Sequence, residues 1–219
     1  MMCWASRTGT RRNLDALGRH GWGLLVSRAG VWRVEAWTCP ETGEPIRFRI
    51  VADNGAWSDF QIGREFDEEE FERFLDWLFR LDRPAEWLVL PDIVAGGLRS
   101  LDLSVRYLNR CLAVVPLVLI AVQDGMEHAD LAPLVGPSVG IFLGGSTEWK
   151  LARMADWGAF CREHGCHFHV ARVNTIRRIR MAHAAMAHSI DGTSATRFAT
   201  TLPALDLAAR QPDLIGRAA

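Results

Sequence analysis

The sequence predicts a closed (β/α)8 TIM barrel built as a single domain over residues 1–219, and three observations predict it. Eight short apolar runs alternate with amphipathic stretches along the whole chain, the pattern of a parallel sheet covered by helices. Their spacing, about 27 residues per strand-and-helix unit, is near the lower size of such a barrel and leaves no interval for a second domain. No G-x-G-x-x-G follows the first run, which removes the signature of a dinucleotide-binding open sheet.

The runs lie at 3–5, 23–26, 48–52, 87–90, 117–122, 139–143, 167–171 and 187–190. Helical periodicity fills 11–19, 67–81, 98–111, 128–134, 147–164, 175–185 and 197–210. The acidic run 67–72 carries Phe66, Phe71, Phe74, Leu75 and Leu78 at helical spacing, so its charges form a solvated helix face. Between the second and third runs the pattern differs. VWRVEAW, PETGEP and IRFRIV read as a hairpin turning at Pro40, Gly43 and Pro45.

Composition excludes disorder, collagen and coiled coil: 49% of residues are hydrophobic and 23% charged. A formal charge of −1 gives no general case for nucleic-acid binding, yet 24 of the 25 basic residues are arginine, whose fork suits phosphate. The longest apolar run, 111–122, contains Pro116 and is too short for a membrane span, and no signal peptide is recognised. Five cysteines without a C-x-x-C pair read as reduced thiols of a cytoplasmic protein. Cys161, His164, Cys166, His167 and His169 cluster in sequence, but the first two end a helix while the last two alternate into a strand. The reading is therefore a helix-to-strand corner, with no metal site and no cofactor expected.

Barrel chemistry gathers at the carboxyl ends of the strands. Those positions hold Ser6, Ser27, Asp53-Asn54-Gly55, Pro91-Asp92, Gln123-Asp124-Gly125, Gly144-Gly145, Arg172 to Asn174, and Asp191-Gly192. Asp, Asn and Gly also stop strands and cap helices. Three aspartates that each follow an apolar strand directly are a stronger signal than any one of them, and Asp53, Asp92 and Asp191 are candidate functional residues.

VADNGAW, LVLPDIV, IAVQDGM, GIFLGGSTEWK, HVARVNT and HSIDGTSATRF follow one another in that order. The ordered set, covering about residues 47–200, resembles the tRNA-guanine transglycosylase superfamily. SRTGTRRN, GGSTEWK and the compact length are most similar to its bacterial and phage branch that places 7-deazaguanines in DNA. Two departures stand out. Only 28 residues follow Asp191, none Cys or His, so the zinc-binding insertion of the tRNA enzymes is missing. The family's DSGG becomes Asp53-Asn54-Gly55-Ala56, and its GVG loop reads ARVN from Ala171.

The resemblance implies exchange of guanine for a 7-deazaguanine base through a covalent Asp–sugar intermediate. Asp191 matches the nucleophile and Asp53 the second catalytic aspartate, a general acid–base. Asp92, Gln123, Gly144, Gly145 and Asn54 line the base pocket by the same match, Trp57 stacks on the base, and Gly192 admits the sugar. Arg197, Arg172, Arg177 and Arg178 are the expected nucleic-acid contacts. DNA is the expected substrate, with tRNA the alternative, and a helicase- or nuclease-like partner or a homodimer is expected to open a duplex. A non-catalytic nucleic-acid-binding subunit and a hydrolase on the same barrel are the competing readings.

Overall fold

Strands covered on both faces need apolar side chains at every position, and this is why the predicted runs do not alternate with polar residues. In the structure, a computed structural model describing residues 1–34, 36–39, 41–197 and 199–211, they form one closed parallel barrel. Its strands are β1 (Met2–Ser6), β2 (Gly23–Ser27), β5 (Ile50–Asp53), β6 (Leu88–Val89), β7 (Val118–Val122), β8 (Val139–Leu143), β9 (Phe168–Val170) and β10 (Ser189–Gly192). Around the barrel the order is β1-β10-β9-β8-β7-β6-β5-β2, with β2 closing on β1.

Alternate residues point to opposite sides. Trp4, Leu25, Val51, Trp87, Val89, Leu119 and Ala121 fill the lumen. Leu24, Val26, Ile50, Ala52 and Leu88 face outward against the helices. The wrapping helices are α1 (Arg11–His20), α3 (Glu68–Phe79), α4 (Leu98–Leu112), α5 (His128–Leu131), α6 (Thr147–Glu163), α7 (Ile176–Ala184) and α9 (Leu202–Arg210). In α3 the buried residues are Phe71, Phe74, Leu75 and Leu78, the apolar stripe of the acidic segment, and the Asp67 side chain caps the helix at the Glu70 amide.

Three features depart from regular alternation. After β2 the chain makes the hairpin β3 (Ala36–Thr38) and β4 (Pro45–Arg47) where a helix would be regular; of its expected turn residues, Pro40 lies outside the described residues. The hairpin packs through Trp37, whose indole N–H donates to Asp15 of α1. After β5 comes an unforeseen short helix, α2 (Ala56–Gln61), started by the Asn54 side chain accepting from the Ala56 amide at 2.8 Å. The segment read as one helix from 197 to 210 is broken into α8 (Ser194–Arg197), a 3-10 turn at Ala199–Thr201, and α9. Pro203 explains the fresh start, because proline is tolerated only in a helix's first turn. Among the described residues no helix is long and apolar enough to cross a membrane.

Helices α6 and α7 meet at Gly158, where a Cβ would lie 2.1 Å from the Ala185 carbonyl oxygen. Gly158→Ala should therefore destabilise the protein by about 1–3 kcal/mol, overriding alanine's better helix propensity. Urea unfolding measures this; an unchanged midpoint would mean that the two helices do not approach so closely.

Candidate active site at the carboxyl end of the barrel

The rim divides into two walls. One is built on the turn after β5 and is organised by Arg28, which follows β2 and is 1% exposed. Its guanidinium Nε donates to the Asn54 carbonyl at 2.7 Å, and its two terminal nitrogens pair with Asp59 of α2 and Glu70 of α3. A buried charge is tolerable only when paired in this way, so Arg28 ties α2, α3 and the Asp53-Asn54-Gly55 turn into one unit. Within that turn the Asp53 carboxyl accepts from Ser27 Oγ at 3.1 Å and from the Gly55 amide at 2.8 Å, both on Oδ1. Asn54 Nδ2 donates to the Leu90 carbonyl at 2.5 Å and to Asp92 Oδ1 at 2.7 Å. Asn54 is thus the clamp between the ends of β5 and β6.

Gln123, at the end of β7, has its amide engaged. Nε2 donates to the Ile93 carbonyl at 3.0 Å and Oε1 accepts from the Gly96 amide at 3.2 Å. Its place in the structure is to hold the loop that follows Asp92. Asp124 accepts from both the amide and the hydroxyl of Ser146 at 2.7 Å, fixing the Gly144-Gly145 turn to the start of α6.

The second wall is the β9–β10 corner. Asp191 is the last residue but one of β10, with a side chain 13% exposed. Its Oδ1 sits 3.0 Å from His169 Nε2 and accepts from the Arg172 backbone amide at 3.0 Å, while Oδ2 has no hydrogen-bond partner among the described residues. Arg172 reaches that position by adopting φ +56°, a left-handed conformation that costs about 1–3 kcal/mol in a residue with a side chain. Lys150, the one lysine in the chain, is 2% exposed and donates to the Ala171 carbonyl at 2.5 Å, bracing the turn just before the strained residue. Burial and the Arg172 charge depress the Lys150 ammonium to about 8. At Gly192 a Cβ would lie 2.5 Å from the Val173 carbonyl oxygen, so the glycine admits the neighbouring strand end.

The Arg172 side chain crosses the mouth between the walls. Its terminal nitrogen donates to the Gly145 carbonyl at 2.5 Å, and its guanidinium carbon lies 4.6 Å from the Trp57 ring centre. Trp57 is 45% exposed and stacks on Phe60, with ring centres 5.7 Å apart. Beside Asn54 and Asp92 a groove of about 430 Å³ opens outward, lined also by Phe60, Arg64, Arg99 and Arg106.

The three aspartates at the strand ends have different electrostatics. Burial raises the Asp53 carboxyl above the ordinary range, opposed by the Gly55 amide and reinforced by the charge of Asp191. Burial pushes Asp92 up to about 7, against the hydrogen bond from Asn54 and the charge of Arg172. Asp124 moves the other way: burial alone would raise it, but the two bonds from Ser146 outweigh burial.

Of the expected nucleic-acid arginines, Arg172 makes the contacts across the mouth. Arg177 and Arg178 occupy the first turn of α7, and Arg197 ends α8. The side chains of the Cys/His segment do not gather at one point. His164 lies 3.0 Å from the Phe160 carbonyl, Cys161 and Cys166 are buried free thiols, and His167 and His169 both approach Ser189 Oγ. Sequence reasoning missed Arg28, Lys150 and His169 as parts of the site. For Lys150 the signal was its being the only lysine; for His169 it was the alternation of His167 and His169 beside HSID.

No protein-family profile and no curated protein matches this sequence. Similar folds are numerous, with 102 solved chains matching. One, described as "Native KDPGal structure", superposes with a TM-score of 0.51 at 13% identity, covering 95% of this chain and 93% of that one. The likeness is one of fold. It agrees with the closed eight-stranded barrel and says nothing about the reaction.

The raised Asp92 carboxyl has a consequence for stability. An unfolded chain releases this proton near pH 4, whereas the folded protein holds it until about 7. Ionisation therefore costs stability progressively as pH rises through that window. Asp92→Asn, which keeps the acceptor for Asn54, should be more stable than the wild type at pH 8, with the gap closing toward pH 4. Urea melts across this range test it, and a gap independent of pH would contradict it.

Proposed function

We propose that this chain is an enzyme, a nucleic-acid guanine transglycosylase that exchanges guanine for a 7-deazaguanine base in DNA by double displacement. The observation that carries the reading is the asymmetry of Asp191. One oxygen accepts from the Arg172 amide and lies 3.0 Å from His169 Nε2, while the other has no hydrogen-bond partner among the described residues. A carboxylate held in this way offers a single oriented lone pair for attack on a sugar carbon. Across the mouth, burial favours the protonated form of Asp53, the form that a general acid needs in retaining glycoside chemistry.

In the first displacement Asp191 Oδ2 bonds to C1′ as the C1′–N bond to guanine breaks. The bond's electrons leave with the base, and Asp53 supplies the base's proton. Proton transfer of this kind contributes about 100- to 10,000-fold. In the second, Asp53 takes a proton from the incoming base, the base nitrogen bonds to C1′, and the Asp191 ester is released as carboxylate. Two inversions give net retention.

The Arg172 guanidinium supports guanine as the base. It is a planar group edged with N–H donors, lying against Trp57 and donating to Gly145 within reach of the charge of Asp92. Guanine's N1–H and 2-amino edge has the same donor pattern and the same flat face. In this reading Asp92 accepts from that edge, Gly144 and Gly145 present backbone groups, and Asn54 and Gln123 keep the pocket in shape. Adenine, with a different edge, would leave Asp92 with only its bond from Asn54. Arg177, Arg178 and Arg197 then face the strand that carries the base, and Arg172 moves aside from the base or stacks on it. A flipped-out base reaches such a pocket most readily from single-stranded DNA, because unstacking a duplex costs a few kcal/mol.

Incorporation of labelled guanine and a labelled 7-deazaguanine into single-stranded DNA and, in parallel, tRNA tests the proposal. Label should enter DNA, and Asp191→Asn should lower incorporation by more than about a thousandfold while DNA binding persists. Label in tRNA alone would replace the substrate, release of guanine without incorporation would indicate a hydrolase, and full activity in the folded variant would overturn the nucleophile.

A further inference from the structure

A line of polar side chains descends from Asp191 into a lumen otherwise filled with apolar residues. His169 Nε2 lies 3.0 Å from Asp191 Oδ1, and His169 Nδ1 lies 2.8 Å from Ser189 Oγ. Ser189 Oγ is in turn 2.8 Å from His167 Nε2. His169 and Ser189 are both 0% exposed. The His169 ring is gripped between Phe142, stacked at 4.9 Å, and Trp87, tilted at 4.8 Å. His167 stacks on His188 with ring centres 5.0 Å apart, and His188 Nδ1 accepts from the Phe168 amide at 3.0 Å. Inward-facing positions of a small barrel are ordinarily apolar packing positions. Three consecutive polar side chains there, each within hydrogen-bond distance of the next, call for a role.

We infer that His167, Ser189 and His169 form a tautomer-fixing chain that presents His169 Nε2–H to Asp191 and so keeps one Asp191 oxygen bonded and the other free to react. The inference rests on the reading of Asp191 as nucleophile. A carboxylate only accepts, so the nitrogen facing it must carry hydrogen. When that imidazole is neutral, Nδ1 carries a lone pair and needs a donor there, which the Ser189 hydroxyl at 2.8 Å supplies. That hydroxyl has a single hydrogen, so its second imidazole neighbour must donate to it through His167 Nε2–H. Burial holds His167 neutral, down to about 3, so it has one hydrogen to give and the chain has one polarity. With His169 in the other tautomer, two lone pairs would face each other at 3.0 Å, and a proton on Asp191 would be the relief. A protonated carboxyl does not attack. His169, Ser189 and His167 are therefore positioning residues: they act on the reaction through Asp191 and do not touch the substrate.

Nitrogen-15 NMR of histidine-labelled full-length protein tests this directly, with His169 assigned by its loss in His169→Gln. In the wild type His169 should show the Nε2–H tautomer, and Ser189→Ala should give a mixture of both. Ser189→Thr, which keeps the hydroxyl on a strand residue, should restore the single form. In base exchange Ser189→Ala should lower kcat about ten- to a hundredfold with little change in KM, the scale of one hydrogen bond to a charged group. An Nδ1–H tautomer in the wild type would overturn the inference without any variant, as would an unchanged tautomer in folded Ser189→Ala. If the tautomers behave as expected but the wild type exchanges no base, the chain stands and the transglycosylase reading fails. If exchange occurs and the tautomers do not behave so, the reverse holds.

Discussion

The candidate site depends on the two hydrogen bonds that fix one oxygen of Asp191. Both involve the neighbouring strand end: the Arg172 amide donates to that oxygen, and His169 Nε2 lies 3.0 Å from it, as the donor in the tautomer inferred above. The second requires the unfavourable left-handed conformation of Arg172, and the surroundings are arranged to hold it. Lys150 secures the Ala171 carbonyl before it, the Val173 amide donates to the Asp191 carbonyl at 2.7 Å after it, and Gly192 leaves room for the Val173 carbonyl. Strain retained at a rim residue, with a buried lysine spent on supporting it, marks a corner shaped by something other than stability.

The opposite wall is held by charge. Removing one partner of a buried pair costs about 3–5 kcal/mol, so Arg28 keeps Asp59, Glu70 and the Asn54 carbonyl in register as a rigid block. Asp53 and Asp92 ride on this block in surroundings that favour their neutral forms. One rim thus carries a hydrogen-bonded acceptor on β10 and proton-holding carboxyls on β5 and after β6. This separation of roles is what a two-step displacement with an internal proton carrier needs. The Arg172 guanidinium bridges the walls where a flat base would lie.

Much of this was legible in the sequence because a parallel barrel makes its strands continuous apolar runs and its functional positions the residues just after them. The eight runs and Asp53, Asp92 and Asp191 at strand ends follow from that rule, whereas the hairpin between the second and third runs was marked by its turn residues. What was not legible depends on contacts between distant segments. Arg28 reads as an ordinary loop arginine until α2 and α3 bring Asp59 and Glu70 to it. α2 itself is six residues, too short for a periodicity signal, and depends on an Asn54 side chain to start. His167 and His169 showed strand alternation, but not that their side of the strand is the lumen and faces Ser189. Gln123 and Gly192 stand where they were expected, with surroundings that give them structural tasks.

The central claim is that Oδ2 of Asp191 becomes bonded to a sugar carbon. Incubating the protein with guanine-containing single-stranded DNA, without an incoming base, and then denaturing, digesting and mapping it by mass spectrometry tests this most directly. The account predicts a nucleotide adduct on the peptide spanning Asp191, formed by the wild type and by Ser189→Thr. An adduct on another residue, or base release from DNA with no adduct on any peptide, would contradict it.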